Sequence, residues 1–337
     1  MRGATRRGSI PPGGGAAPNT QTGAVQQPCL VVDILGSFMN DLAAVAHPQM
    51  LVRKGIMGWK ETQIKDWSHL VEILSLLDCD RPSEVSRLFR GQSDSTWQLV
   101  DSLSRLVTLD ASSDQTVDVE RTAFDKFFSQ AHLFLDPSTL PEPRSLLAWW
   151  AIMQHYGCPT RLLDWTVSPY VATYFAVVEN WDYDGAVWSF DPCAVMDASV
   201  SPAFDEIRKT ITSKDTRNLF WGEQKSEYVF PFNSRKHHIR SATQQGGFTL
   251  CGTIPRDHGF LIDQSLGNPG HGYSDKIVIK REHKPGFLRN LMRMNITANA
   301  LFPGLDGLGK SISELVRLEA RHEKRCLPGS WWEDQSD

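Results

Sequence analysis

The most constraining feature of this sequence is an apolar run, residues 149–178, that carries charged side chains at its centre. It reads WWAIMQHYGCPTRLLDWTVSPYVATYFAVV. Flanks this apolar are expected to lie in a folded core. The centre nevertheless holds His155, Arg161 and Asp164, and charged groups are seldom buried without partners. Either Arg161 and Asp164 pair with each other inside the core, or the segment lines a functional site.

Local patterns in this run predict a helix, a strand and a second helix in succession. Residues 144–156 are apolar nearly all round and end at Gly157, which is typical of a buried helix. Residues 160–166 read as a strand. Ser168-Pro169 is a strong helix start, with Ser at the N-cap and Pro at the first helical position. A helix that begins directly after a strand offers free N–H groups and a positive dipole end, which favour an anion.

Composition narrows the class of protein. The chain has 337 residues, a net charge of −4 and a pI near 6.2, so no bulk basic field attracts nucleic acid. Its six cysteines are far apart and form no C-x-x-C pair, so we predict no metal site and reduced, cytosolic thiols. No apolar run approaches the roughly 20 residues needed to span a bilayer. We therefore expect a cytoplasmic protein with no membrane partner.

The order of predicted elements favours an α+β fold, with mixed or antiparallel sheets of short strands and packed helices. We predict a disordered tail at 1–27, an N-terminal extension at 28–65, one folded domain at 66–325 and a C-terminal tail at 326–337. The remaining predicted helices lie at 66–77, 119–135, 284–294 and 311–322, and the strands at 85–89, 186–190, 228–232, 239–243, 248–251 and 276–280.

A strand that closes with Arg90-Gly91 is the first candidate binding element. A guanidinium is a forked donor that matches phosphate or carboxylate. The glycine permits close approach of a ligand or of a second backbone. The alternative is structural: Arg90 pairs with Asp94 or Asp164 to hold a turn.

A second candidate element is the predicted strand at 239–243 and the residues after it. Arg240 and Gln244 lie four apart, so they share a face of a strand. His237 and His238 are adjacent and point to opposite faces, which argues against a metal site.

Four blocks of the chain resemble the FRG domain, a family named for its Phe/Trp-Arg-Gly motif. Here the motif is Phe89-Arg90-Gly91, and the resemblance spans roughly residues 66–320. The blocks are GQSDSTWQLVDSLSR (91–105), QHYGCPTRLLDWTVSPYVATYFA (154–176), IRSATQQGGFT (239–249) and NALFPGLDGL (299–308). The family name implies a fold more firmly than a function.

A fainter resemblance is to ADP-ribosyltransferases of the Arg–Ser–Glu type. Phe89-Arg90-Gly91 resembles their first element, whose Arg holds an NAD phosphate. DWTVSPYVATYFA (164–176) resembles their Ser-Thr-Ser strand and the helix that follows it. Gln244 falls where these enzymes carry Glu. The resemblance implies NAD as cosubstrate, with Arg90 and Gly91 at the pyrophosphate, Thr166 and Gln244 at the ribose, Trp165 or Tyr170 stacked on nicotinamide, and His155, Arg161 and Arg240 in support.

Two departures separate this chain from that pattern. Asp-Trp-Thr replaces Ser-Thr-Ser, and Gln244 cannot supply the negative charge of Glu. A carboxylate stabilises the cation that develops as the nicotinamide bond breaks, and Asp164 is the candidate to supply it. We therefore expect a mono-ADP-ribosyltransferase-like enzyme that modifies a protein or nucleic-acid acceptor. The alternatives are a non-catalytic nucleotide- or nucleic-acid-binding module, in phage defence or a toxin system, and a scaffold with a structural polar cluster. The sequence leaves the oligomeric state open.

Overall fold

The computed structural model describes residues 58–79, 87–107, 112–198, 209, 211, 216–222, 227–232, 246–267 and 273–320. All of them belong to one contact unit, Val31–Asp337. In this part of the chain, seven strands form a single sheet in the order β1-β7-β4-β2-β3-β6-β5. They are β1 Lys60–Ile64, β2 Leu88–Gln92, β3 Leu162–Thr166, β4 Gly185–Phe190, β5 Val229–Phe232, β6 Gly246–Cys251 and β7 Ser274–Ile279.

The sheet is mixed, and helices pack against it. β1 runs parallel to β7, and the other neighbouring strands are antiparallel. This confirms the α+β prediction. The α-helices of the described residues are α1 Trp67–Cys79, α2 Ser102–Leu106, α3 Ser113–Ala131, α4 Leu146–His155, α5 Pro169–Val177, α6 Pro192–Ala198, α7 Arg217–Trp221, α8 His258–Leu266, α9 Lys284–Arg293, α10 Ala298–Leu301 and α11 Leu305–Ala320. No described helix is both long and apolar enough to cross a membrane.

Several predicted boundaries move in the structure. β2 is Leu88–Gln92, so Arg90 lies at the centre of a fully buried strand and does not close it. α3 begins early because Ser112 and Gln115 form a capping box. α11 begins at Leu305, ahead of the helix predicted from residue 311. β1 falls in the predicted N-terminal extension and pairs with β7. The strand predicted at 239–243 lies outside the described residues.

Gly91 holds α5 against the sheet. A Cβ at Gly91 would lie 1.9 Å from the carbonyl oxygen of Ala172 and 2.7 Å from the backbone nitrogen of Ala176. No side chain fits at that separation, so glycine allows the helix backbone to touch β2. This corrects the expectation that Gly91 admits a pyrophosphate, because the space above it is filled by α5.

The sheet opens between β2 and β3, which is where the polar residues meet. These two strands share one backbone pair, Phe89 with Thr166. On their other sides, Leu88–Gln92 pairs along its length with β4, and Leu162–Thr166 pairs along its length with β6. The main chain of Asp164 therefore faces β2 without a regular ladder partner.

Candidate functional site

Asp164 is the titratable centre of the opening between β2 and β3. Successive residues of a strand point to opposite faces. Leu163 and Trp165 lie in one apolar cluster, so the Asp164 carboxylate lies on the other face, where it is half-buried. Burial raises the pKa of Asp164 to about 6, although Arg90, a hydrogen bond from Gln154 and Arg105 act to lower it. A carboxyl with such a pKa exchanges protons near neutral pH.

Arg90 holds the main chain of Asp164 through a hydrogen bond. Its Nη1 donates to the Asp164 carbonyl oxygen over 2.7 Å and so fills the gap in the ladder. The side chain is only 5% exposed, and its Nε is enclosed without a hydrogen-bond partner. Burial lowers the pKa of Arg90 to about 10, with Asp164 opposing that shift and Arg105 adding to it. An enclosed N–H without an acceptor is unfavourable, so this position differs from that of a fully bonded guanidinium.

Arg105 brings a second guanidinium to the same place from the end of α2. Its Nη1 donates to the Val100 carbonyl oxygen over 2.6 Å, and the residue remains exposed. Burial lowers the pKa of Arg105, while Asp101 and Asp164 act to raise it. The first residues of α2 are fixed to the strand side, because Leu103 N donates to the Thr160 carbonyl oxygen over 3.1 Å. Arg105 is therefore a partly exposed cation held near Asp164.

Gln154 fixes the orientation of the Asp164 side chain. The Thr160 hydroxyl donates to Gln154 Oε1, which leaves the amide NH₂ of Gln154 for the carboxylate. Gln154 lies in the last turn of α4 and is buried. Three residues of the long apolar run thus form one chain of hydrogen bonds that ends at Asp164.

Arg161 does not pair with Asp164, which corrects the first alternative drawn from the sequence. Its guanidinium forms a two-pronged ion pair with Glu120 of α3, with Nε to Oε1 at 2.8 Å and Nη2 bonded to Oε2. Nη1 donates to the carbonyl oxygens of Cys251 and Gly252, each over 3.2 Å. Burial alone would lower the pKa of Arg161, but the Glu120 charge offsets this and raises it. Arg161 is fully buried and satisfied, so its role is structural.

Trp165 also belongs to the interior. Its indole Nε1 donates to Thr249 Oγ1 over 2.9 Å, and its ring meets Phe190 edge-on at 4.7 Å. Thr249 Oγ1 lies 2.8 Å from His258 Nδ1, and His258 Nε2 lies 3.5 Å from the buried Asp101. With 3% of its surface exposed, Trp165 offers no face on which nicotinamide can stack. This buried polar chain ties β3 to β6 and α8.

The other predicted site residues that the structure describes make separate contacts. Thr166 is buried, and its Oγ1 accepts from Ser168 N over 3.0 Å at the turn into α5. Tyr170 packs on Trp67, with 6.2 Å between ring centroids. His155 is half-buried at the end of α4, with its ring perpendicular to that of Tyr156. Arg240 and Gln244 lie outside the described residues, and β6 begins at Gly246 opposite Thr166.

Three contributors to this arrangement were missed by the sequence reading: Glu120, Arg105 and Gln154. Gln154 and Arg105 both lie inside the quoted blocks, so their presence in those blocks was an available signal. Glu120 is one of several acidic residues on an amphipathic helix, and no local pattern marks it as the partner of Arg161. No cluster of three or more His, Cys, Asp or Glu side chains that could hold a metal occurs among the described residues.

Comparison with known proteins identifies one family. The model of the FRG domain matches residues 86–185, which include β2, β3, the Asp164 cluster and all of α5. No curated protein and no solved structure matches the chain. The region that opens between β2 and β3 is therefore the region the family shares, and the chain carries an FRG domain.

Proposed function

We propose that the Asp164 cluster is a nucleotide site at which the protein acts as an ADP-ribosyltransferase-like enzyme with NAD. The observation that carries the proposal is that Asp164 is half-buried, with part of its surface exposed, and is not neutralised by Arg161. The negative charge that Gln244 cannot supply is therefore available at Asp164. Its pKa of about 6 leaves it ionised at neutral pH.

The residues present are suited to a dinucleotide. Two guanidiniums, those of Arg90 and Arg105, act on the Asp164 carboxylate, and a guanidinium is a forked donor that matches the oxygens of a diphosphate. Arg105 is the accessible one, so we assign the diphosphate to Arg105. Arg90 holds the main chain of Asp164 through its carbonyl oxygen, and we assign it a positioning role. This revises the part that the resemblance gave to Arg90.

Asp164 supplies electrostatic stabilisation. NAD supplies an ADP-ribosyl group, with nicotinamide leaving on the electron pair of the broken bond. The Asp164 carboxylate stabilises the positive charge that develops at the sugar carbon. Gln154 keeps the carboxylate oriented, which reduces the reorganisation needed during reaction. The acceptor's nucleophilic atom gives up its proton when its new bond to the sugar forms, and the ionised Asp164 is a base with a suitable pKa.

A non-catalytic nucleotide-binding module is the second candidate. It is favoured by the enclosure of Arg90, which is 5% exposed, and by Gln244 in the place of a Glu. In that case Arg105 binds phosphate, Arg90 only positions the main chain, and Asp164 only tunes the site. Binding that survives Asp164→Asn, without turnover in the parent protein, distinguishes this candidate from the enzyme.

The test is an NAD assay on the purified protein with cell lysate as the source of acceptors. Labelled NAD is supplied, and transfer to protein and to nucleic acid is measured separately, together with nicotinamide release. We expect transfer by the parent protein, little by Asp164→Asn and undiminished transfer by Asp118→Asn, a surface control on α3. If the parent protein shows no turnover and calorimetry detects no NAD binding, both candidates are contradicted.

A further inference from the structure

A concave surface lies between the beginning of α1 and α9. It is a groove of about 370 Å³, and Asp66, Trp67, Gly286, Arg289 and Arg293 are among the residues that line it. It shares no residue with the Asp164 cluster. Its volume is within the range of small-ligand sites, about 300–1,000 Å³.

Stacked rings form the apolar part of the groove. Trp67 is half-buried and meets Phe287 edge-on at 5.3 Å. His283 lies nearly parallel to Phe287, at 5.8 Å and 19°. Tyr170 also packs on Trp67, with 6.2 Å between the ring centroids. The packing holds the indole in place, so a planar ligand ring stacks on it with little loss of conformational freedom.

Two arginines form the charged part. Arg289 and Arg293 lie one turn apart on α9, a spacing at which like charges disfavour a helix. Within the described part of the chain, neither has an ion-pair partner. The groove also holds Asp66, whose Oδ1 already accepts from His69 N over 2.8 Å, and Glu282. The pair of guanidiniums is therefore free to bind an anion.

Gly286 keeps the groove open. It lies in the first turn of α9, and a Cβ added there would meet no atom within 4 Å. Neither a close backbone contact nor a positive φ requires glycine at this position, although glycine lowers helix propensity. What its missing side chain preserves is the space beside Trp67 and Arg289.

We propose that this groove binds a nucleoside monophosphate. The base stacks on Trp67, the phosphate is bound by Arg289 and Arg293, and the carboxylates of Asp66 and Glu282 accept from exocyclic amino groups of the base. A ring, a donor edge and an anion at these places describe a nucleotide better than a bare anion or an apolar molecule. The inference does not rest on the function proposed for Asp164.

The test is calorimetric titration of the full chain with 5′-AMP, and separately with inorganic phosphate, at low salt. Gly286→Leu adds a bulky side chain at a position that lines the groove and where a Cβ meets no atom within 4 Å, and Gly309→Leu is its matched control, since Gly309 of α11 also has open space around it. We expect AMP to bind the parent protein and Gly309→Leu alike. We expect at least a tenfold higher Kd in Gly286→Leu and in the double variant Arg289→Gln/Arg293→Gln. Thermal unfolding of each variant checks that the fold is kept.

Three outcomes would overturn the proposal. AMP fails to bind at millimolar concentration, Gly286→Leu binds it as the parent does, or inorganic phosphate binds as tightly as AMP. An Asp164→Asn variant separates this site from the other one. If that change alone abolishes AMP binding, the nucleotide belongs to the Asp164 cluster, and the groove assignment fails while the proposed function stands.

Discussion

Two buried arginines of this protein have opposite surroundings. Arg161 is 0% exposed, bonds both oxygens of Glu120 and lies over the Trp150 ring at 4.9 Å. Arg90 is nearly as enclosed, yet it makes one bond to a main-chain oxygen and leaves Nε without a partner. The first arrangement is complete without a ligand. The second leaves one donor unbonded and lies beside a half-buried carboxylate.

The difference separates a residue that holds the fold from one that shapes a site. Glu120 supplies Arg161 with a full opposite charge, which leaves Asp164 available. Asp164 instead receives its charges from Arg90 and from the exposed Arg105, and its pKa stays above the ordinary value because of burial. Native proteins accept such unfavourable groups chiefly where function needs them.

The largest predicted effect on stability is at the Arg161 pair. Glu120→Ala leaves a buried guanidinium without its charge partner, so we expect a loss of about 3–5 kcal/mol in the free energy of unfolding. Glu227→Ala is the control, because its pair with Arg256 is nearly half exposed and is expected to contribute less than about 1 kcal/mol. Urea unfolding measures both. Equal losses would remove the distinction between the two arginines.

A glycine pair gives the next largest effect. Gly91→Ala forces a Cβ into the Ala172 carbonyl of α5, and overpacking of this kind costs about 1–3 kcal/mol or more. Gly286→Ala has open space, so we expect no loss and a gain of up to about 1 kcal/mol. Thermal unfolding compares the two. A tolerated Gly91→Ala would show that α5 does not pack directly on β2.

The contacts behind these two predictions show what can be predicted from the sequence. The helix start at Ser168-Pro169 was correct because the N-cap and proline signals are local. The prediction that a charged residue in the long apolar run needs a partner was also correct for Arg161, although the partner is Glu120 and not Asp164. Glu120, the partner of Arg161, lies 41 residues away on α3. The element that requires glycine at position 91 is α5, whose backbone contacts β2 there. Both depend on tertiary packing, which a single sequence does not encode in any local pattern.

For Asp164 we predict the opposite of the effect at Glu120: removing the charge does not lower the free energy of unfolding. Its folded-state pKa of about 6 lies above the ordinary 3.8, so the folded protein holds the extra proton between these values. Stability conferred by that proton is lost as the pH rises from about 4 to about 6. Asp164→Asn lacks this loss, so at pH 7 its free energy of unfolding is unchanged or higher by up to about 2 kcal/mol, while NAD turnover falls. Urea unfolding at pH 4 and pH 7 measures the difference, and a variant less stable than the parent at pH 7 would contradict it.

The smallest effect on stability is predicted at Arg105. Arg105→Gln removes an exposed cation, so the free energy of unfolding changes by no more than about 0.5 kcal/mol. Its charge acts to lower the pKa of Asp164, so that pKa rises in the variant, and NAD binding weakens and loses part of its salt dependence. Arg121→Gln is the matched control, an exposed arginine with one bond to a main-chain oxygen. Similar binding by the two variants would remove Arg105 from the site.

The most direct test of the account is a carbon-13 NMR titration of the Asp164 carboxyl in the intact protein, with Asp164→Asn used to assign the signal. We expect a half-buried carboxyl that is not locked to Arg161 to titrate with a midpoint near pH 6, and Arg105→Gln to move the midpoint upward. A midpoint near 4 or below, unchanged in Arg105→Gln, would mean that Asp164 is an ordinary or fully paired carboxylate, and the site proposed around it would not stand.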